Sequence, residues 1–378
     1  MHAFLQSREE EMLQLLEKLV NIDSGTYVKH GVDAVGSVLQ KEYEALGYVV
    51  EVHEQPELGN NLTIRHKDAV NPQILAIAHM DTVFVEGTVS ERPFTRDEKR
   101  AYGPGVFDMK GSQVALLYAL KALIEENEDA CKNVVILLNS DEEIGSPQSR
   151  PLIEKVARET KYALIVEPSL SRETVVSERK GGGKYFLKVS GIAAHAGGEP
   201  EKGRSAIEEL AHKIIKLHRL TNLEAGVTLN VGIIQGGTSV NTISPHAYGA
   251  LDVRVETPEQ AEEIDRAIRD ICAIPDVEGT TIELTGKMRR PPLILSEQSR
   301  ELLAVVQEAG RELGVEITDT KSGGGSDGNL TAAVGVATID GLGPIGGNAH
   351  SADEYLEIDS LVDRTLLLAS IIKKLSAK

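Results

Sequence analysis

Several things are scarce or missing in this sequence, and each shortage removes a class of protein. Only two cysteines occur in 378 residues. Cys131 and Cys272 lie far apart with no metal-type spacing, which points to two unpaired thiols in a reducing cytoplasm, neither of them a nucleophile. No apolar run near the start is long enough for a secretion signal or a membrane span, and Met1 to Gln14 is rich in Glu instead. Basic charge is in deficit: 40 Lys and Arg stand against 58 Asp and Glu, a net charge of −18 that argues against a nucleic-acid partner and for a soluble protein that repels polyanions. Internal repeats and coiled-coil heptads are lacking as well. The glycine run at 323–325 is followed by no Gly-Lys-Ser/Thr and is therefore not a phosphate cradle.

What is present is enough apolar residue, 41%, to bury a sizeable core, over a length that suggests about two domains. Amphipathic helices are expected at 8–20 and 32–46. An alternation follows, with strand-like runs at 74–78, 134–138 and 162–166 and helices at 114–124 and 151–159, which implies an α/β fold with a mostly parallel sheet flanked by helices. Directly after the three strands come His79-Met80-Asp81, Asp141-Glu142-Glu143 and Glu167-Pro168-Ser169. Ligands bind outside the carboxyl ends of strands in such sheets, so the three tips should converge. With Asp108, set in the glycine-punctuated turn Gly103 to Gly111, they offer His and carboxylate donors suited to zinc or a similar divalent ion.

From about residue 180 to 290 the order becomes β-α-β-β-α-β, the pattern of a small ferredoxin-like α+β domain inserted into the first. The domain division is thus 1–179 with 291–378, and 180–290. Gly181-Gly182-Gly183 reads as a hinge at the boundary, and Arg289-Arg290-Pro291-Pro292 as a stiff return linker.

His79-Met80-Asp81, Gly105 to Gly111, Asp141 to Gly145, Glu167-Pro168-Ser169, His195 within Ala193 to Gly197, and His350-Ser351 occur in that order. Together they resemble the co-catalytic zinc metallopeptidases that include bacterial glutamate carboxypeptidase, aminoacylase, acetylornithine deacetylase and succinyl-diaminopimelate desuccinylase. The resemblance spans nearly the whole chain and implies two Zn2+ ions, with Co2+ or Mn2+ as alternatives. Asp108 would bridge the ions, His79 and Glu167 would complete one site, and Glu143 and His350 the other. Asp81 would accept the His79 ring N–H, and the peptide bond after Asp108 would be cis. Glu142 would be the general base, taking a proton from a water and passing it to the leaving nitrogen. The resemblance further implies a homodimer through the inserted domain, in which His195 stabilises the oxyanion in the partner's site. Arg254, Asn241 and the backbone of Gly324 and Gly325 would hold the substrate carboxylate. The activity expected is release of a C-terminal amino acid, with glutamate carboxypeptidase first. An N-acyl-amino-acid deacylase and a dipeptidase are the alternatives within the family, and a catalytically silent metal- or peptide-binding relative is the alternative outside it.

Overall fold

The runs Ile74–His79 and Val134–Asn139 are fully buried along their whole length. Strands buried on both faces need helices on each side, which only a mainly parallel sheet provides. In the computed structural model, which describes residues 1–377, they form the middle of a six-stranded sheet. Its order is Tyr48–His53, Asn61–His66, Val134–Asn139, Ile74–His79, Tyr162–Ile165, Ala337–Ile339. The last four are parallel, and the first two add an antiparallel hairpin at one edge. His79 lies opposite Asn139 in the register, so the polar residues that follow each strand emerge at one end of the sheet.

Helices Gly111–Glu125 and Ile358–Ser376 are buried over most of their length and pack in the main core, together with Glu9–Val20 and Glu297–Glu312. Arg150–Arg158 covers the other face through Ile153, Val156 and Ala157.

The chain divides into two units. One comprises Met1–Glu178, Leu295–Ser322 and the chain from Ser326 on; the other comprises Arg179–Ile294 with Gly323–Gly325. In the second unit, four antiparallel strands in the order Thr228–Gly236, His246–Val255, Gly181–Ser190, Thr281–Arg290 carry helices Ala206–His218 and Pro258–Ala273. That is the β-α-β-β-α-β order. Both helices start on a capping side chain: Ser205 accepts from the Glu208 N–H, and Thr257 and Gln260 form a reciprocal capping box.

Two local expectations give way here. Gly181, Gly182 and Gly183 are not a hinge but buried residues of the strand Gly181–Ser190. A Cβ on Gly182 would come within 2.8 Å of the Val253 carbonyl, and one on Gly183 within 2.8 Å of the Lys287 carbonyl, so close strand approach is what excludes a side chain. Arg289 and Arg290 belong to the strand Thr281–Arg290 rather than to a linker, which leaves only Pro291 and Pro292 outside the sheet.

Candidate active site

The strand tips converge. His79 ends the strand Ile74–His79 and is 2% exposed. Its Nδ1 lies 2.9 Å from the Asp81 carbonyl, so the ring donates there and turns Nε2 toward the carboxylates. That is the orientation in which an imidazole ligates a metal. Nε2 stands 3.1 Å from Asp108 Oδ1 and 3.8 Å from Glu167 Oε1. On the other side of Asp108, His350 Nε2 stands 3.3 Å from Oδ2 and 3.2 Å from Glu143 Oε2. The two oxygens of one carboxylate thus face two different imidazoles, each with its own further carboxylate. Two overlapping groups, His79 with Glu142 and Glu167, and His79 with Asp108 and Glu143, each hold donor atoms within 4.8 Å of one another.

These spacings suit a bound cation. With metal–ligand bonds of about 2.0–2.2 Å, neighbouring donors of a tetrahedral site are about 3.3–3.6 Å apart, close to what the four contacts show. Glu143 Oε1 is buried without a hydrogen-bond partner, an unmet acceptor at the same place.

The electrostatics agree. Burial works to lower the His79 pKa, yet hydrogen bonds to Asp108 and Asp81 and the nearby Glu167 lift it well above its usual value. His350 is raised to about 10 by Asp108 and Glu143. Burial pushes Glu143 up to about 7 against the opposing bond from His350. Burial and the charge on Asp108 likewise push Glu167 well up. Asp108 itself is held far below the ordinary carboxylate range: burial would raise it, but both imidazoles outweigh that. A crowd of carboxylates this close shares positive charge by necessity.

The Asp108 turn is built for close approach. Gly105 has φ +72°, and a Cβ there would lie 2.6 Å from Thr82 Cγ2, so a side chain is excluded on two counts. The Asp108–Met109 peptide bond is cis.

Asp81 meets the His79 ring with two oxygens, its backbone carbonyl 2.9 Å and its carboxylate 3.5 Å from Nδ1. The carboxylate also accepts from Thr26 Oγ1 at 2.7 Å and from the backbone N–H groups of Glu142 and Glu143 at 3.2 and 3.3 Å. It therefore pins the short turn Glu142–Ile144 that presents both glutamates.

The remaining expected residues lie in the second unit. His195 is exposed, and its Nδ1 accepts from the N–H groups of Gly197 and Gly198 at 3.1 and 3.0 Å. The ring proton is thereby placed on Nε2, which makes that atom a donor. Asn241 is bridged to the same segment, with its carbonyl accepting from Ala196 N at 2.9 Å. Its Oδ1 accepts from Ser239 Oγ at 2.9 Å, leaving Nδ2 as the donor end. Arg254 is already forked onto Asp252, Nε to Oδ2 at 2.9 Å and Nη2 to Oδ1 at 3.2 Å. Gly324 and Gly325 belong to this unit as well, and the Gly324 carbonyl accepts from Arg179.

One residue escaped the sequence reading. Glu354 is 1% exposed and receives three backbone N–H groups of the Asp108 turn. Its partners are main-chain atoms, so no side-chain spacing announces it; the only signal is a Glu four residues after His350.

A glycine-set carboxylate between two imidazoles, at the tips of a parallel sheet with an inserted α+β unit, is the arrangement of a metallopeptidase. The chain belongs to peptidase family M20/M25/M40, whose sequence profile matches residues 75–374. It is an enzyme acting on peptide or acyl amide bonds. Among its relatives, carboxypeptidase G2 of Pseudomonas sp. (strain RS-16) is 30% identical over 374 residues, covering 97% of this chain and 89% of that one. A succinyl-diaminopimelate desuccinylase of Thioalkalivibrio sulfidiphilus is 26% identical over 385 residues, covering 97% and 99%. The fold recurs in the aminopeptidase PepT of Bacillus cereus, with TM-score 0.80, 23% identity and coverage of 97% and 99%. It recurs also in an M20 family metallo-carboxypeptidase of Sulfolobus solfataricus, with TM-score 0.78, 20% identity and coverage of 96% and 98%. Among the described residues no helix is long and apolar enough to cross a membrane.

Proposed function

We propose that this chain is a two-metal carboxypeptidase that releases a C-terminal amino acid, glutamate first among the candidates. The single observation that carries the reading is the pairing of Asp108 Oδ1 with His79 and Oδ2 with His350. Asp108 would be shared, His79 and Glu167 would hold one Zn2+, and Glu143 and His350 would hold the other, with Co2+ or Mn2+ as alternatives to zinc. Ions bound there would polarise the scissile carbonyl and lower the pKa of a water toward about 7. Glu142 would take a proton from the attacking water and deliver it to the leaving nitrogen, while Asp81 fixes the turn on which Glu142 sits.

The donor set of the second unit supports a substrate role. His195 Nε2–H suits an oxyanion, and Asn241 Nδ2 suits a carboxylate. The Arg254 guanidinium, held by Asp252, keeps Nη1 for a carboxylate partner, and the backbone of Gly324 and Gly325 serves the same group. We assign His195 to the site of a second copy. A dimer is favoured by the edge strand Thr228–Gly236, where Ile233 and Ile234 are 54% and 65% exposed, and by the exposed Ile207 and Ile215 on the flanking helix. Two free, buried cysteines suit a reducing cytoplasm.

The test is turnover of N-acyl-glutamates, other N-acyl-amino acids and dipeptides, each with zinc, cobalt or manganese. Preferential release of glutamate supports the reading. Release of free acetate or of dipeptide products alone moves the chain to the deacylase or dipeptidase alternative, and two bound ions without turnover would indicate the silent relative. Full activity of a strict monomer would remove His195 from its role across the dimer.

A further inference from the structure

Four residues beyond His350, the Glu354 side chain turns away from solvent and into the back of the Asp108 turn. Its Oε1 accepts from the N–H groups of Phe107 and Asp108 at 2.9 and 3.0 Å, and its Oε2 from that of Gly105 at 3.2 Å. Three N–H groups of an irregular turn, those of Gly105, Phe107 and Asp108, are met by one carboxylate. Glu354 directly precedes the strand Tyr355–Glu357, which pairs with Arg100–Tyr102 so that Tyr355 faces Tyr102. Gly103 and the turn follow directly on that partner strand. The segment bearing His350 and the segment bearing Asp108 are therefore joined twice, by a strand pair and by this carboxylate, and the joint lies immediately behind the 3.3 Å approach of His350 Nε2 to Asp108 Oδ2.

We propose that Glu354 is a positioning residue for the metal site: it sets the position of the Asp108 carboxylate relative to His350, and so the geometry of the ion that those two share with Glu143. The inference rests on the two-metal reading above. A charged acceptor placed behind a bridging ligand limits how far that ligand can relax, and loss of such outer contacts costs about 10–100-fold in metal affinity.

The experiment compares the full-length wild-type chain with Glu354→Gln, and with Glu354→Asp as a second variant that keeps the charge at a shorter reach. Stepwise Co2+ binding is followed by calorimetry and by the visible absorption of the bound ion, alongside thermal melting of the metal-free proteins. The wild type is expected to take up two Co2+. Were it to take up none, the two-metal reading itself would fall, and the inference with it. With two bound to the wild type, Glu354→Gln is expected to bind one of them about 10–100-fold more weakly with an altered spectrum, while its metal-free melting changes little. Glu354→Asp should lie between the two. Should Glu354→Gln fail to fold, Glu354→Asp decides alone on the same two readouts. Wild-type affinities and spectra in a folded variant would overturn the assignment. So would a loss of metal-free stability with the binding unchanged, which would leave Glu354 a structural residue only.

Discussion

Two of the clusters of charge that the molecule buries are built in opposite ways. In the second unit Lys213 and Glu209 are both fully buried, and the lysine ammonium is met by Glu209 Oε1 at 3.1 Å, Asp276 Oδ2 at 2.7 Å and the Ile274 carbonyl at 2.6 Å. Glu209 Oε2 in turn accepts from the N–H groups of Asp276 and Val277 and from Thr280. Every charge there finds its opposite within the chain. In the first unit, the three carboxylates Asp108, Glu143 and Glu167 crowd round two imidazoles, with Glu143 and Glu167 pushed up by burial. The first arrangement is closed and staples a loop to a helix. The second is left open, and openness of this kind, not burial or charge as such, marks a place where something binds.

The largest test of that contrast removes the shared carboxylate. Asp108→Ala is expected to lose both ions and bring amide hydrolysis below detection, as metal analysis of the purified protein and turnover would register. Retention of two ions would end the claim that this cluster is the open one. Next, Glu142→Gln should lower kcat by about 10²–10⁴ while both ions stay bound; near-normal turnover would remove Glu142 from proton transfer. On the closed side, Lys213→Met strands Glu209 in the core and should cost about 3–5 kcal/mol of stability by denaturant unfolding. Metal content and kcat per folded molecule should be unchanged, and a drop in either would blur the distinction between the two clusters.

The smallest expected effect is in pH. A metal must displace the protons that the open cluster holds, so uptake tightens as pH rises, about tenfold per unit for each proton displaced. Glu143, raised to about 7, competes together with Glu167, also raised, and the imidazoles, with His350 raised to about 10. Above pH 7 Glu143 drops out of that competition, so the dependence should become shallower there. A slope in Co2+ affinity that is flat across pH 6–8 would contradict the proton-loaded cluster.

How much of this could be read from the chain alone follows from what each residue uses to declare itself. Ile74–His79 and Val134–Asn139 are unbroken apolar runs closed by polar residues, and both the strands and their tips are plain. Tyr48–His53 and Asn61–His66 are not, because an edge hairpin with Glu51, Arg65 and His66 among its residues carries no such run. Glu354 and the carboxylate of Asp81 act on backbone N–H groups, which have no sequence letter. The glycines 181–183 mislead for a related reason. Absence of side chains marks a hinge and a crowded strand alike, and only the 2.8 Å approach of neighbouring backbone tells them apart.

Because His79 stands opposite Asn139 at the last step of a parallel ladder, the strand, not the loop, sets where the His79 imidazole stands. Losing one residue anywhere inside Ile74–His79 would invert which face each later side chain takes and turn His79 away from Asp108. An extra residue at the far end of the same sheet would leave the ladder, and the chemistry at its tip, untouched. Variation in length should therefore be tolerated at that end and forbidden within the strands.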